Sequence, residues 1–345
     1  RAELTPEAGL WPDMVVEFER QSPHEARIVW EWHMWDHTIQ NYDDTLDNYG
    51  DPSEHPELID VNGELEPPTI SEEELARLKT LGYVPSDTTP KDLQSDFMHT
   101  NAIAYNADLD QIVLSILKYN EVWIIDHSTT VDEAAGHTGG RWERGGDLLY
   151  RWGNPRVYGR GDGTQQRLFG QHDPRWIPQG MPGAGHLLVF NNNLNGSEGP
   201  YSAVFEFALP TDDEGLFVVP DTEAFGPETL SWSYTAPDKS SMFSSFISGA
   251  HRLANGRTMI TSGAQGRFLE VTSEGVIVWD YWTPYSGDVK MPDGSRPQPT
   301  ASWTYPVFRA TKILPDHPAL AGRDLTPLDP QPPIVLPSSS AEDSP

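Results

Sequence analysis

The sequence contains no cysteine among its 345 residues. This absence excludes disulfide bonds, thiolate metal ligands and cysteine nucleophiles, so any covalent chemistry must use another side chain. Basic residues are also scarce, because 23 Lys and Arg stand against 52 Asp and Glu, which gives a formal net charge of −29. A surface of this sign repels polyanions, and we therefore expect no nucleic-acid partner.

Long apolar runs are missing as well. No stretch approaches the ~18 consecutive apolar residues that a membrane-spanning helix needs, so we expect no membrane span. The first residues, "RAELTPEAGLWPD", lack the pattern of a signal peptide, and we expect a mature or truncated N-terminus. The sequence also lacks a Gly-x-Ser-x-Gly elbow, which argues against a serine hydrolase.

The residues that are abundant favour turns and short strands. The chain has 29 Gly and 31 Pro. Between them lie short runs rich in Val, Ile, Trp, Tyr and Phe, such as "EVWIIDH", "SAVFEFAL" and "VIVWDYW", which predict β-strands. The one helix that we predict covers 71–83, "SEEELARLKTLGY", where Ser71 is a suitable N-cap and acidic residues follow it. This helix has the character of an insertion into a β fold.

The strand-like runs recur in a fixed order. "HTNAIAYNADLDQIVLSI" is followed by "EVWIIDH" and "DLLYRWG", and two later segments repeat this succession. The unit starts are spaced by 73, 76 and 60 residues and fall near His99, His172, Ser248 and Phe308. An all-β unit that repeats at this length predicts the blades of a β-propeller.

The two ends of the chain fit the same scheme. "DMVVEFE" and "ARIVWEW" fit the later strands of a blade whose first strand is missing. "YPVFRATKIL" fits an opening strand that could pair with "DMVVEFE" and close a ring, and we count about four to five blades. We expect a single propeller domain over 1–325, followed by a Pro/Ser-rich tail at 326–345.

An acidic loop is the one candidate site for a metal cofactor. The segment "NYDDTLDNYGDPSE" contains Asp43, Asp44, Asp47 and Asp51. Oxygen ligands beside a glycine suit Ca²⁺, although the EF-hand spacing is absent. We expect a solvated acidic loop and no cofactor, with Ca²⁺ binding as the alternative.

Several of these segments together resemble the bacterial arylsulfotransferases. The resemblance covers about 11–320 and rests on "IVWEWHMWDH", "DFMHTNAIAYNADLDQIVLS", "FGQHDPRWIP", "LLVFNNN", "YSAVFEF" and "GRFLEVTSEGVIVWDYW". It implies a six-bladed β-propeller located in the periplasm or outside the cell. It also implies sulfuryl transfer from an aryl sulfate ester to a phenol through a histidine, without a nucleotide sulfate donor.

The resemblance can be carried over to individual positions. His99 and Asn101 match the family's His-x-Asn element, and His172 matches the histidine of a later blade. Where the family has Tyr-Ser-Arg, this chain has Ala203 in place of the arginine, and Ser248 occupies the next blade start. The candidate catalytic residues are His99, His172 and His251, and the candidate substrate-binding residues are Asn101, Asn191, Asn193, Arg309, His33 and His37.

Histidine, asparagine and arginine side chains suit the chemistry of sulfuryl transfer. Sulfuryl transfer needs a nucleophile, an acid or base for the phenol, and donors for the developing negative charge. Residues that open propeller blades face the central channel, so His99 and His172 should converge. Arg309 on a blade-opening strand could replace the missing arginine as an anion partner. For His33 and His37 we expect a packed Trp/His loop; in the alternative the two histidines share one face of a helical turn, as metal ligands do.

Two other functions fit the same sequence. The protein could be a non-catalytic propeller that binds a ligand or a partner protein in its central depression, which the residues Ala203 and Ser248 favour. It could also be a Ca²⁺-dependent structural module of an extracellular assembly, which rests on the acidic loop alone.

Overall fold

The computed structural model describes residues 9–63, 71–81, 84–90, 95–212, 215–283, 306–315 and 317–326. These ranges contain sixteen β-strands but only two α-helices, α1 (Glu72–Leu81) and the four-residue α2 (Val131–Ala134). The predicted all-β class is therefore confirmed. Of the predicted tail at 326–345, all but Thr326 lies outside the described residues.

The chain divides into two compact units. The first comprises Arg1–Pro174 and Leu209–Thr229, and the second comprises Arg175–Ala208 and Leu230–Pro345. Neither helix is long or apolar enough to cross a membrane, as far as the described residues show.

The main sheet of the first unit has four antiparallel strands in chain order. They are β5 (Thr100–Asn106), β6 (Gln111–Ile116), β7 (Glu121–Asp126) and β8 (Tyr150–Trp152). Every residue of β6 and β7 is buried, which explains why the sequence reads there as continuous apolar runs rather than as an alternating pattern.

Two smaller pairs of strands complete the first unit. An antiparallel hairpin joins β1 (Met14–Ser22) to β2 (Glu25–His33), and a short parallel pair joins β3 (Thr38–Ile39) to β4 (Ile59–Asp60). Trp30 and Trp32 near the end of β2 are buried, so this hairpin contributes to the core.

The remaining strands form two more antiparallel sheets, each again in chain order. One contains β9 (His172–Trp176), β10 (Leu187–Gly196), β11 (Gly199–Phe207) and β12 (Trp232–Tyr234). The other contains β13 (Gly249–Arg252), β14 (Thr258–Ser262), β15 (Arg267–Val271) and β16 (Ile277–Trp282). The core of the second unit includes Leu188, Phe190, Val204, Ile260 and Leu269 from these strands.

Three four-stranded meanders therefore begin at or beside His99, His172 and Ser248. A sheet of four sequential antiparallel strands is the unit from which β-propellers are built, and the predicted propeller-type fold is confirmed at this level. The fourth predicted opening strand, near Phe308, is wrong for the described residues 306–315, which form no strand. The backbone at 307–308 forms single hydrogen bonds with Gly263 and Ser248, and β1 pairs with β2 rather than with this segment.

A buried ion pair lies at the centre of the first unit. Arg151 of β8 donates from Nε and Nη2 to the carboxylate of Glu121 on β7, and Trp123 Nε1 donates to the same carboxylate at 2.7 Å. Arg151 and Glu121 are both fully buried. Burial raises the pKa of Glu121, and the Arg151 charge and hydrogen bonds oppose that shift. The guanidinium also donates to the Leu58 carbonyl at 3.0 Å, so it joins the sheet to the segment after the acidic loop.

We predict that Arg151→Met destabilises the protein strongly. Removing one partner leaves an uncompensated buried carboxylate, which costs about 3–5 kcal/mol in the free energy of unfolding. Urea denaturation measures this loss. Arg27→Met is the matched control, because Arg27 forms an ion pair with Glu19 at 2.6 Å on the surface and its loss should change the midpoint little. Equal effects of the two substitutions would contradict the central role of the buried pair.

Candidate functional site

His99 lies immediately before β5 and is held by a carboxylate. Its backbone is left-handed, with φ of 55°. Its Nδ1 lies 2.5 Å from Oδ2 of Asp96, and its side chain is 52 % exposed. When Nδ1 donates to the carboxylate, a neutral ring carries its lone pair on Nε2. The ring is thus both oriented and accessible, which suits a nucleophile or a general base.

The Asp96 carboxylate is stabilised in its charged form. Burial raises its pKa, but the hydrogen bond from His99 and the charges of His99 and Lys118 outweigh burial and lower the pKa below its ordinary value. Lys118 also donates from Nζ to the backbone carbonyl of Asp96. A carboxylate, an imidazole and an ammonium group therefore meet at the start of this blade.

The turn at 117–120, between β6 and β7, connects two predicted blade starts. Leu117 N–H donates to the His99 carbonyl at 3.3 Å, and Lys118 N–H donates to the Met98 carbonyl at 3.1 Å. On its other side, the Asn120 side chain accepts from Gly170 N–H at 2.7 Å. One turn thus contacts the segments that lead into His99 and into His172.

His172 is far less accessible than His99. It is 5 % exposed, and its Nδ1 donates to the Gly170 carbonyl at 3.0 Å. Asn101 donates from Nδ2 to the carbonyl of Gln171 at 2.8 Å, while its Oδ1 is buried without a hydrogen-bond partner among the described residues. The structure thus brings Asn101 to the peptide bond that precedes His172.

Left-handed backbone recurs where the three sheets begin. His99, Asp173 and Ser248 have φ of 55°, 56° and 93°. Such a conformation costs a non-glycine residue on the order of 1 kcal/mol or more, and it concentrates at functional sites. A positive φ also occurs at Asp110, Asn120, Glu143 and Ile247, so the three blade starts share this conformation without being its only positions among the described residues.

The predicted residues of the second unit have different surroundings. His251 lines a cavity of about 320 Å³ together with Arg175, Trp176 and Lys312. Its Nε2 accepts a hydrogen bond from Lys312 N–H at 3.2 Å, so that nitrogen is already engaged. Arg309 is exposed, and its guanidinium lies 5.5 Å from the ring centroid of the neighbouring Phe308.

The asparagines of β10 and their neighbours are mostly enclosed. Asn191 is fully buried and lies opposite the equally buried Ala203 on β11, whereas Asn193 donates to the Ser245 carbonyl at 3.0 Å. Ser248 bonds to the Ser244 hydroxyl at 2.8 Å and accepts from Gly263 N–H at 2.9 Å. Hydrogen bonds within the protein therefore already engage the hydroxyl of Ser248 at the third blade start.

His33 and His37 do not act as a pair. His33 ends β2 and lies 3.4 Å from Glu31, whereas His37 is buried in a short 3₁₀ helix (Met34–His37) and lies 2.8 Å from Asp147. The two rings bond to different carboxylates. The pairing of the two histidines on one helical face is therefore wrong.

The acidic loop shows local hydrogen bonds. Asp43 accepts from the backbone and hydroxyl of Thr45, and Asp51 does the same for Ser53. These bonds lower the pKa of both carboxyls. Asp44 and Asp47 are exposed. Calcium binding by these four residues stays a prediction.

Sequence reasoning missed four residues that the structure places beside predicted histidines. Asp96 has a local signal, because it precedes His99 by three residues. Lys118 has no such local signal, since the strands β5 and β6 lie between it and Asp96 in the sequence. His137 and Asp147 are about 100 or more residues from His37 along the chain, and only the "GHTGGRWERGGD" loop marks them.

Comparisons with solved proteins found similar chains of low identity. A protein of unknown function from Bacteroides caccae is 13 % identical, with a TM-score of 0.28, and the match covers 57 % of this chain and 51 % of that chain. The Cps50 (Swd1) β-propeller domain of Myceliophteria thermophila is 12 % identical, with a TM-score of 0.31 and coverages of 59 % and 48 %. A streptogramin B lyase is 12 % identical, with a TM-score of 0.27 and coverages of 56 % and 60 %. The chain spans about half the length of the first two of these structures.

Comparison with protein families gave a match over most of the chain, whereas no curated protein matches it. The family model described as Arylsulfotransferase (ASST) matches residues 9–280, which include all three blade starts and the candidates His99, Asn101 and His172. The chain thus belongs to the arylsulfotransferase (ASST) family.

Proposed function

We propose that this protein transfers a sulfuryl group from an aryl sulfate ester to a phenolic acceptor, with His99 as the transient carrier and without a nucleotide donor. One observation carries the proposal, besides family membership. His99 combines an exposed ring with an Nδ1 that Asp96 holds at 2.5 Å. An imidazole held in this way by a carboxylate keeps one tautomer and one orientation, as in hydrolase triads.

The chemistry proceeds in two displacements. The lone pair on His99 Nε2 attacks sulfur, the S–O bond to the aryl group breaks, and the electron pair leaves with the phenoxide. The acceptor phenol then attacks the same sulfur, the N–S bond breaks, and its electron pair returns to Nε2. The proton of the acceptor passes to the departed phenoxide or to water, so the ring is regenerated. Asp96 stabilises the positive charge that the sulfuryl-imidazole carries between the two steps.

The other two candidate histidines fit the carrier role less well. His172 is only 5 % exposed, so an ester reaches it with difficulty. The Nε2 of His251 already accepts a hydrogen bond from the Lys312 backbone. Lys118, beside Asp96, is the proposed partner for the sulfate oxygens. Substrate contacts by the remaining predicted residues stay predictions, as does a periplasmic or extracellular location.

A second function is favoured by the second unit. Ala203 is fully buried, and Ser248 is bonded to Ser244 and Gly263, so neither offers a group to an anion. These positions suit a propeller that binds an aryl sulfate or another ligand without turning it over. Binding of the ester without phenol release would favour this alternative.

We predict that His99→Ala lowers transfer by on the order of 10³-fold or more, because it removes the attacking atom. The measurement is phenol release from an aryl sulfate, with and without a phenolic acceptor. His24→Ala is the matched control, since His24 is an exposed histidine in the β1–β2 turn and its loss should leave the rate unchanged.

Two further variants sharpen this test. His172→Ala and His251→Ala should reduce transfer less than His99→Ala does. Near-normal transfer by His99→Ala would refute the proposed carrier, and a larger loss in either other variant would move the role to that histidine. Circular dichroism of each variant separates lost chemistry from lost folding.

We also predict that Asp96→Asn reduces stability at pH 7 and that this difference disappears in acid. The pKa of Asp96 is lowered in the folded state. Its contribution is therefore full above the ordinary Asp value of ~3.9 and is lost as the pH falls through the lowered value. Urea midpoints measured in steps from pH 7 down to about pH 2 follow the change, with the exposed Asp87→Asn as the control. A difference that persists unchanged in acid would show that the charge of Asp96 is not its cause.

A further inference from the structure

Two histidines and an aspartate converge in the first unit, apart from His99 and the residues Asp96 and Lys118 beside it. His37 Nδ1 and His137 Nδ1 each lie 2.8 Å from the same Oδ1 of Asp147. One ligand atom from each of the three residues lies within 4.8 Å of the others, and no other such group of three occurs among the described residues. His37 and Asp147 are buried, whereas His137 is exposed.

A glycine-rich loop builds this cluster. The loop at 137–147 closes on itself, because Gly145 N–H donates to the Gly139 carbonyl and Gly146 N–H donates to the Gly136 carbonyl, both at 3.0 Å. His137 and Asp147 are therefore adjacent although ten residues separate them. Glycine is required at 146, since a Cβ there would lie 2.4 Å from Nε2 of His37 and 2.1 Å from the Ala134 carbonyl oxygen.

The buried histidine is fixed in the orientation of a metal ligand. Its Nε2 lies 2.8 Å from the Ala134 carbonyl, which can only accept, so Nε2 carries the proton and Nδ1 faces Asp147. Its ring stacks on Trp32 with centroids 5.6 Å apart, and Trp32 Nε1 donates to the Gly146 carbonyl at 2.7 Å. Histidine ligands of metals usually donate their second ring N–H to a backbone carbonyl or a carboxylate in this way.

The donor set suits a transition metal rather than calcium. Two imidazole nitrogens with one carboxylate oxygen are a ligand set of zinc sites that keep one open position. Ligand atoms around a tetrahedral zinc with ~2.0 Å bonds lie roughly 3.3 Å apart. The two N···O distances of 2.8 Å would therefore have to open by about half an ångström. His137 can supply this movement, because its side chain is 59 % exposed.

The exposed side of the cluster opens to a cavity. His137 lines a space of about 660 Å³, whose wall also contains Trp35, Asp47, Tyr49 and His55. A fourth ligand, such as water or a small anion, has access to the metal from this side. We propose that His37, His137 and Asp147 bind one divalent transition-metal ion of the zinc type, with an open coordination position toward this cavity.

The test is metal binding by the full chain after treatment with a chelator. Zn²⁺ is titrated by calorimetry, and Co²⁺ is titrated by its visible absorption, which is intense when cobalt is four-coordinate. We expect one equivalent of either metal per chain. His137→Ala should weaken binding by at least 100-fold and abolish the absorption, because it removes a ligand without disturbing the buried His37–Asp147 pair.

A second histidine–carboxylate pair gives the control. His186 Nδ1 lies 2.8 Å from Glu206 but is not part of any group of three ligands in the described residues, so His186→Ala should bind metal as the unmodified protein does. Absence of stoichiometric binding would overturn the proposal, as would equal affinity in His137→Ala, which would mean that the metal binds elsewhere. Asp147→Asn removes the carboxylate ligand and should also weaken binding; if this substitution of a buried residue prevents folding, His137→Ala alone decides the question.

Discussion

The buried ion pair between Glu121 and Arg151 is stable only if the surrounding residues satisfy the hydrogen bonds of both charged groups. A charged pair without exposure to water must have its hydrogen bonds supplied by protein, since no water replaces them. The Glu121 carboxylate receives donors from Arg151 and Trp123, and the guanidinium donates further to the carbonyls of Pro56 and Leu58. The face of Tyr158 covers the guanidinium, with the ring centroid 4.2 Å away. These contacts connect β7 and β8 with the segment that contains Pro56 and Leu58 and with the segment that contains Tyr158.

Each group of histidines in the first unit has one contact residue that lies close to this ion pair along the chain, Lys118 for His99 and Asp147 for His37 and His137. Glu121 begins β7 directly after the turn at 117–120, which bonds to the segments that lead into His99 and into His172. Arg151 follows Asp147 by four residues, and between them Leu148 N–H donates to the Glu57 carbonyl at 2.9 Å. The pair therefore fixes the backbone that carries Lys118 on one side and Asp147 on the other. Exposed histidines in a rigid backbone can keep a defined geometry without being buried themselves.

The blades could be predicted from the sequence, because short apolar runs and turn residues are local signals that repeat. The same reasoning failed for the segment near Phe308, because a strand needs a continuous ladder of backbone hydrogen bonds, whereas the backbone at 307–308 forms single bonds with the loop residues Gly263 and Ser248. The spacing of His33 and His37 likewise gave no sign of the partner of His37, which is 110 residues away. Contacts between residues that lie far apart in the sequence, such as Lys118 with Asp96, cannot be inferred from the spacing of residues along the chain. Family resemblance therefore indicated His99, but only the structure supplied its neighbours.

In the proposed function an acidic protein handles an anionic ester, and its binding then depends on local charges rather than on the net charge. At physiological ionic strength charges are screened over ~8 Å, so most of the 52 acidic residues act weakly on a group bound at His99. Asp96, Lys118 and Asp13 are charges that remain close, since the Asp13 carboxylate accepts from Thr100 N–H at 2.8 Å. Asp96 disfavours the approach of a sulfate ester, but in the proposed mechanism it also faces the positive charge that develops on the imidazole ring once sulfur is bound. In that mechanism the carboxylate stabilises the transition state, in which this positive charge develops, more than the bound ester, and interactions of that kind raise a rate rather than only tighten binding.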